Sequence, residues 1–223
     1  MPLKMNNLLM PDSFPADQFD RIYQAVANRY RQHPNYSQYQ GAWNGVAYCY
    51  KAMVEYDERF TASIVKDGPA PGEPTRFDQE RNLFGFASSA YSMFDALHYG
   101  IFAIGSFIDA NNFPLSSAQD ERRVSFRSTQ TAYSNAFGGD SIVGYFSTFS
   151  ADAERVDLDA LRNMLTHRAS PPRAFRLGGG GPPAAMTRLD IPIDKNTTAL
   201  RAKSAARLLS NGLTAMEEFI QRH

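Results

Sequence analysis

GFASSAYSMFDALHYGIFAIGSFI, residues 85–108, is the longest strongly apolar stretch of the chain. Asp95 and His98 lie near its middle, and both side chains would resist burial in a lipid bilayer. We therefore interpret the stretch as a buried core segment, within a long helix that begins near Arg76 and reaches Asp109. This interpretation leads us to expect no membrane partner.

Apolar residues recur at helical spacing on both sides of this core helix. The recurrence predicts further helices over about 15–32, 44–66, 158–169 and 198–222, and one that begins at Ser116 or Ser117. A short apolar piece, 142–149, fits a helix or a strand, and we favour a helix because its neighbours are helical. Long helices joined by short loops are typical of an antiparallel bundle. The sequence therefore predicts an all-α fold, an antiparallel bundle of five to six helices in a single domain over residues 1–223.

Residues 173–197 interrupt the helical pattern. Segments 174–177 and 187–193 could pair as a small hairpin around the glycines and prolines of 178–183. Those glycines do not form a phosphate-binding loop, because two prolines follow them where such a loop needs lysine, serine or threonine at a helix N-terminus. We therefore expect a β-hairpin-like insert near residues 173–193, followed by the C-terminal helix.

Charge is balanced over the whole chain but not along it. The 23 Lys and Arg residues equal the 23 Asp and Glu residues in number, which argues against a strong general nucleic-acid binder. Residues 160–223 hold 10 basic and 4 acidic side chains, whereas residues 1–159 hold 13 and 19. Two interpretations remain open: a local positive field that concentrates an anionic ligand, or an internal match between an acidic body and a basic tail.

Few features of the chain point to redox chemistry, metal binding or targeting. Cys49 is the single cysteine, which excludes an intramolecular disulfide and a multi-cysteine zinc site. Asp95 and His98 are spaced like half of a carboxylate-bridged metal site, but the chain has no second copy of that pair. The N-terminal MPLKMNNLLM lacks the apolar run of a signal peptide. We therefore expect a cytoplasmic protein without a metal or another cofactor.

Residues 162–167, RNMLTH, place an arginine, a carboxamide and an imidazole on two turns of a predicted helix that Asp157 would cap. Asn163 and His167 stand at i and i+4 and share one helix face. Arg162 lies about 100° around the helix, but its long side chain can reach the same side. Arginine binds phosphate oxygens and histidine moves protons near neutral pH, so the set indicates a phosphodiester site. The alternative is structural, because cations near a helix C-terminus interact favourably with its dipole.

The segment LRNMLTHR, residues 161–168, resembles the signature of the HEPN superfamily, an all-helical group. That signature is an arginine, four to six residues and then a histidine, and a polar residue often follows the arginine, as Asn163 does here. The resemblance implies a metal-independent endoribonuclease with a role in toxin, defence or RNA-processing systems. It also implies a homodimer that acts on RNA, with a protein antitoxin or regulator as a further partner. Other members have lost catalysis, so the alternative function is a non-catalytic helical module that binds a nucleotide or a protein partner.

The resemblance also implies roles for individual residues. His167 would assist proton transfer at the RNA 2′-hydroxyl or the leaving oxygen, and Arg162 would hold the scissile phosphate. Asn163 would orient the histidine or the substrate. An acidic residue on an earlier core helix is common in the family, and Asp95 could take that part as a buried carboxylate paired with Arg162 or His167. The alternative is that Asp95 pairs with another cation or faces water. Supporting phosphate contacts are expected from three further arginines: Arg168, Arg173 and Arg176.

Overall fold

The structure, a computed structural model, describes residues 4–5, 8–167, 174–176, 184–186 and 191–223. Side chains are described for residues 8–166 and 191–223. The fold is all-α, as predicted: in this part of the chain there are eight helices, and no strand is longer than three residues. None of the described helices is long and apolar enough to cross a membrane.

Helices follow one another closely along most of the described chain. In order they are α1 (Ala16–Tyr30), α2 (Tyr36–Asp67), α3 (Glu73–Ile108), α4 (Ala118–Glu121), α5 (Phe126–Ala136), α6 (Ser141–Ala151), α7 (Ala153–His167) and α8 (Asn196–Arg222). The strands are β1 (Lys4–Met5), paired antiparallel with β2 (Leu8–Leu9), and β3 (Ala174–Arg176), paired antiparallel with β4 (Ala184–Met186). The RNMLTH motif therefore lies on α7, a helix as its pattern predicts.

The described helices number eight rather than the predicted five to six, and one cause lies after residue 116. Ser117 caps α4, and Asp120 completes a capping box by accepting from the Ser117 backbone, in line with the sequence pattern. A second capping box follows at Ser125 and Ser128. Because the extended backbone of a cap residue interrupts a helix, the single helix predicted here is divided into α4 and α5.

Helix α2 begins at Tyr36, earlier than the predicted start near Asn44. Tyr36, Tyr39 and Trp43 follow one another at helical spacing, and all three are buried. Trp43 stacks on Phe19 of α1 with ring centroids 4.3 Å apart, and its Nε1 donates to the Phe19 carbonyl at 3.3 Å. Burial of these rings therefore extends the helix across a segment whose tyrosines and polar residues suggested a loop.

The insert after α7 contains a β-pair, although its second strand is not the predicted one. The pair has the register Ala174 with Met186, Phe175 with Ala185 and Arg176 with Ala184. The sequence placed the second strand at 187–193, of which residues 187–190 lie outside the described part. Ile191 and Ile193 are both buried just before α8. Because buried Ile191 and Ile193 alternate with exposed Pro192, the segment has the alternating pattern that predicts a strand.

The chain folds into two compact units. Unit 1 comprises Met1–Cys49, Ser92–Asp152 and Ala206–His223, and unit 2 comprises Tyr50–Tyr91 and Ala153–Ala205. Helices α2, α3 and α8 contribute residues to both units, whereas α7 belongs to unit 2 and α1, α4, α5 and α6 belong to unit 1. The motif is therefore described within unit 2.

Aromatic rings fill the core of unit 1. Tyr133 of α5 is buried, with its ring centroid 4.8 Å from that of Phe113 and 5.2 Å from that of Phe219. Its hydroxyl donates to the Ile101 carbonyl at 2.7 Å, so the polar atom of the side chain keeps a partner. Burial, and secondly the charge of Asp140, raise the pKa of Tyr133 well above its ordinary value, so the phenol stays protonated.

In unit 2, an arginine links α7 to α8. Arg201 forms an ion pair with Asp157, with Nε 2.8 Å from Oδ2, and its Nη2 donates a hydrogen bond to Oδ1 at 2.9 Å. Its Nη1 also donates to the Thr197 carbonyl at 2.6 Å. Helix α7 begins at Ala153, so Asp157 lies inside the helix. The prediction that Asp157 caps the motif helix is therefore wrong. The ion pair and its hydrogen bond therefore link the two helices within unit 2.

Asp140 links pH to the stability of unit 1. It caps α6 by accepting from the Ile142 amide, and its carboxylate lies 3.2 Å from His223 Nε2 and 3.4 Å from Arg222 Nη1. Burial alone would raise the pKa of Asp140, but hydrogen bonds from His223 and Ile142 and the charge of Arg222 bring it below the ordinary value of 3.8. A carboxyl group whose pKa is lower in the folded state than in the unfolded state stabilises the fold at pH values above its ordinary pKa. This stabilisation is lost as pH falls through the folded-state pKa.

We expect Asp140→Asn to lower the free energy of unfolding by about 1 kcal/mol at neutral pH, because Arg222 is half exposed and solvent screens its charge. Asparagine also caps helices, so the substitution removes the charge and keeps the cap. In urea unfolding, the difference from the wild type should shrink below about pH 4. Asp12→Asn, at an exposed aspartate without an ion pair to a described residue, is the control. A difference that does not change with pH would contradict this account.

Candidate functional site

The buried face of α7 determines which motif side chains reach the surface. Leu158, Leu161 and Met164 are buried in unit 2 and fix the rotation of the helix about its axis. This rotation leaves Arg162 half-buried and Asn163 exposed. The motif therefore stands on a helix anchored by apolar contacts, as the sequence predicts.

Only part of the predicted site has described side chains. His167 is the last residue of α7, and its side chain lies outside the described residues, as do Arg168 and Arg173. Arg176 lies in β3, where the backbone alone is described. The predicted site residues with described side chains are Arg162, Asn163 and Asp95.

The guanidinium of Arg162 makes two described contacts. The guanidinium carbon lies 4.4 Å from the centre of the Tyr91 ring, on α3. Its Nη1 donates to Oδ1 of Asn163 at 3.0 Å, so these two side chains converge as their spacing suggested. A guanidinium has five N–H donors. Among the described residues, the acceptor for one of these donors is Oδ1 of Asn163. One face of the group is covered by an aromatic ring, and donors remain on its edges.

Asp159 is a charged neighbour of Arg162 that is not among the predicted site residues. It lies one turn before Arg162 on α7 and pairs with Arg155 at 2.6 Å. Burial raises the pKa of Asp159 above its ordinary value, and the charges of Arg155 and Arg162 oppose that rise. The spacing of these three residues could have indicated the cluster, because it places a carboxylate between two guanidinium groups on one helix. An anion bound by Arg162 would therefore also experience the negative charge of Asp159.

Asp95 is not the buried carboxylate that would pair with Arg162 or His167, and its exposure agrees with the alternative that it faces water. It is exposed on α3 and belongs to unit 1. Burial of the Cys49 thiol, and secondly the charge of Asp95, raise the pKa of Cys49. Because Asp95 is exposed, burial gives no reason to pair it with Arg162. Tyr91, one turn earlier on the same helix, provides the described contact to Arg162.

His98, the second polar residue of the core stretch, is buried in unit 1. Its Nε2 lies 3.1 Å from the Tyr145 hydroxyl, and its ring centroid is 4.8 Å from that of Phe126 and 4.9 Å from that of Phe149. Burial raises the pKa of Tyr145, so the phenol stays protonated and donates to Nε2 when that nitrogen carries no hydrogen. In the described part of the chain, no three His, Cys, Asp or Glu side chains gather closely enough to hold a metal ion.

Internal ion pairs explain part of the charge asymmetry between residues 1–159 and 160–223. Three arginines of the second section bind acidic residues of the first: Arg201 with Asp157 at 2.8 Å, Arg207 with Asp152 at 2.8 Å and Arg222 with Asp140 at 3.4 Å. For these three arginines, the contacts favour the interpretation that basic residues of the second section pair with acidic residues of the first. Arg162 differs, because its described contacts are an aromatic ring and a carboxamide rather than an ion pair.

Comparison of the chain with protein-family models, with curated proteins and with solved structures finds no match. The structure itself therefore defines the class: an all-α protein with a ring-backed arginine and a carboxamide side by side on one helix. Chemically, this arrangement can bind an anion in a planar, oriented manner.

Proposed function

We propose that the protein is a metal-independent endoribonuclease of the HEPN type, an antiparallel helical bundle whose substrate is RNA. The observation that supports the proposal best is the setting of Arg162 within the RNMLTH motif. The guanidinium rests on the Tyr91 ring, donates one hydrogen bond to Asn163 and keeps further donors for a phosphate. His167 follows Asn163 by one helical turn, so an imidazole belongs to the same stretch of α7.

In the proposed reaction, His167 removes the proton from an RNA 2′-hydroxyl, and the oxygen attacks the adjacent phosphorus. The bond between phosphorus and the 5′-oxygen breaks, the leaving oxygen takes up a proton, and a 2′,3′-cyclic phosphate remains on the upstream fragment. Arg162 binds a non-bridging oxygen and stabilises the negative charge that develops there. Proton transfer and charge stabilisation are thus both supplied by side chains, and the reaction requires no metal ion.

Tyr91 and Asn163 act in this proposal by orienting Arg162. An aromatic face attracts the guanidinium, and arginine is more easily desolvated than lysine. The Asn163 carbonyl oxygen accepts from Arg162, which leaves the Asn163 amide N–H groups to donate to substrate or to His167. The substrate would therefore meet a guanidinium whose orientation is set before binding.

We further propose that the active form is a homodimer in the cytoplasm, in which the motifs of two chains face the same RNA. Two copies of His167 would then be available, one to accept the proton of the nucleophile and one to protonate the leaving oxygen. A toxin, defence or RNA-processing role follows from such an activity, with a protein antitoxin or regulator to restrain it.

Incubation of the purified protein with end-labelled RNAs of several sequences, in excess chelator, tests the proposal. We expect cleavage that the chelator does not reduce, with 2′,3′-cyclic phosphate ends on the upstream fragments. His167→Ala, purified in the same way, should cleave no RNA, which excludes a contaminating nuclease. The proposal is overturned if the wild-type protein leaves every RNA intact, or if the chelator abolishes cleavage.

The second candidate function is a non-catalytic helical module that binds a nucleotide or a protein partner. The internal ion pairs of Arg201, Arg207 and Arg222 favour it, because they account for part of the basic section without any nucleic acid. The same assay separates the two functions. If wild type and His167→Ala both leave RNA intact, and both bind the same nucleotide or protein, the module is the correct assignment.

A further inference from the structure

A cleft of about 470 Å³ opens in unit 1 beside α5. Its apolar lining comes from Phe102 of α3, Pro114, Val124 and Ala132 of α5. Phe102 and Ala132 are buried, and Val124 is half-buried. Cavities of roughly 300–1,000 Å³ with a mainly apolar lining are typical of sites for small molecules.

Two exposed arginines, Arg123 and Arg127, line the same cleft. Neither side chain forms a hydrogen bond or an ion pair with a residue that the structure describes. Two like charges beside one apolar surface repel each other, and an anion placed between them would replace that repulsion with two attractions. The pair therefore differs from the arginines that bind acidic partners within the fold.

Asp120 is the acidic residue among those that line the cleft, and its carboxylate is already engaged. It accepts hydrogen bonds from the hydroxyls and amides of Ser116 and Ser117. These bonds, the Ser117 hydroxyl first, hold the pKa of Asp120 below its ordinary value. The first turn of α5 also borders the cleft through Ser125 and Ser128, and the positive end of a helix dipole favours negative charge. The electrostatics of the cleft thus favour an anionic ligand.

We infer that this cleft binds a small aromatic anion, a ligand with a flat apolar body and one phosphate or carboxylate group. The body would lie against Phe102 and Val124, and the anionic group would lie between Arg123 and Arg127. This inference does not depend on the proposed ribonuclease, because the cleft belongs to unit 1 and the motif to unit 2. Donors and acceptors for ring substituents come from Asn112, Thr131 and Asn135.

Fluorescence titration with 1-anilinonaphthalene-8-sulfonate, itself an aromatic anion, tests the inference on the full chain. We expect saturable binding of one probe per chain. The double variant Arg123→Gln and Arg127→Gln should weaken binding by about tenfold or more, because both charge-assisted contacts to the anion are lost. Arg122→Gln is the matched control, since Arg122 is exposed and adjacent in sequence but does not line the cleft.

Thr131→Trp provides a second variant, because Thr131 is exposed at the cleft and an indole there would fill it. We expect it to lose probe binding while its urea unfolding midpoint stays that of the wild type. Displacement of the probe by adenosine 5′-monophosphate identifies a phosphate-bearing ligand, and displacement by 2-naphthoate identifies a carboxylate-bearing one. The inference is overturned by an absence of saturable binding, or by binding that survives both the double variant and Thr131→Trp.

Discussion

Replacing Arg162 with alanine is expected to slow RNA cleavage by about 10²–10³-fold, the loss typical when a preorganised donor to a developing negative charge is removed. In the described structure the guanidinium is not part of an ion pair, so the truncation removes the proposed phosphate contact and leaves no buried charge unpaired. The rate of a single turnover, with protein in excess over labelled RNA, is the quantity to measure. It reports chemistry rather than product release.

Arg162→Lys separates the charge of the side chain from its shape. Lysine keeps the positive charge but has no planar group to stack on Tyr91 and no forked pair of donors. We expect the lysine variant to recover at most about tenfold of the lost rate. Arg81→Ala is the matched control, an exposed arginine of unit 2 paired with Asp78 at 3.0 Å, and it should cleave as the wild type does. Wild-type rates in Arg162→Ala would remove Arg162 from the mechanism.

Tyr91 should behave as a positioning residue that acts through its ring. Tyr91→Phe keeps the aromatic face and should remain within a few-fold of the wild-type rate. Tyr91→Leu removes the face while keeping an apolar side chain of moderate size, and should slow cleavage by about tenfold, in line with the strength of a cation–π contact. Rescue by phenylalanine but not by leucine distinguishes orientation of Arg162 from simple space filling. Equal rates in the two variants would show that the ring face is not required.

The second large effect concerns stability and Gly105 of α3. A Cβ at this position would lie 2.4 Å from Cδ1 of Phe113, whose ring is fully buried. That ring has little room to move, because its centroid is 5.2 Å from that of Phe102 and 4.8 Å from that of Tyr133. We therefore expect Gly105→Ala to lower the free energy of unfolding by about 2–3 kcal/mol, although alanine favours a helix by about 1 kcal/mol over glycine.

Gly100→Ala, on the same helix, is the matched control with the opposite expected sign. Its Cβ would lie 3.6 Å from Cβ of Ala42 and 3.7 Å from Cε3 of Trp43, both ordinary van der Waals separations. Helix propensity then dominates, and the free energy of unfolding should rise by about 0.5–1 kcal/mol. Urea unfolding followed by circular dichroism compares both variants with the wild type. A gain of stability in both would mean that Phe113 yields to the new methyl group.

Sequence periodicity predicts best those helices whose apolar residues repeat without interruption. In α8, Leu208, Leu209 and Leu213 are buried as their spacing indicates, and the apolar piece at 142–149 is helical in α6. Leu200 is exposed instead, because periodicity shows which residues share a face but not how far the covering layer extends. Periodicity also places the start of α2 too late, because the first residues of α2 are buried against an aromatic ring of another helix, α1.

In the candidate site, contacts within one helix can be predicted from the sequence, whereas contacts between helices cannot. Arg162 and Asn163 lie about 100° apart around α7, and the length of the arginine side chain predicted that it could reach the side of Asn163, where it now donates a hydrogen bond. The ring of Tyr91 comes from a different helix, so no spacing within the motif could reveal it. Helical spacing does not predict the exposure of Asp95 either, because spacing shows which residues share a face, and packing decides how deeply that face is buried.

The contact between Arg162 and Tyr91 bears on attempts to transplant this motif. Six residues copied onto another protein would keep the hydrogen bond between Arg162 and Asn163, but the guanidinium would lose the aromatic face that contacts it. A working graft needs a second helix that delivers a flat hydrocarbon surface under the cation at about the same separation, here 4.4 Å. The smallest unit that could be transferred with this arrangement intact is therefore a pair of helices rather than a single peptide.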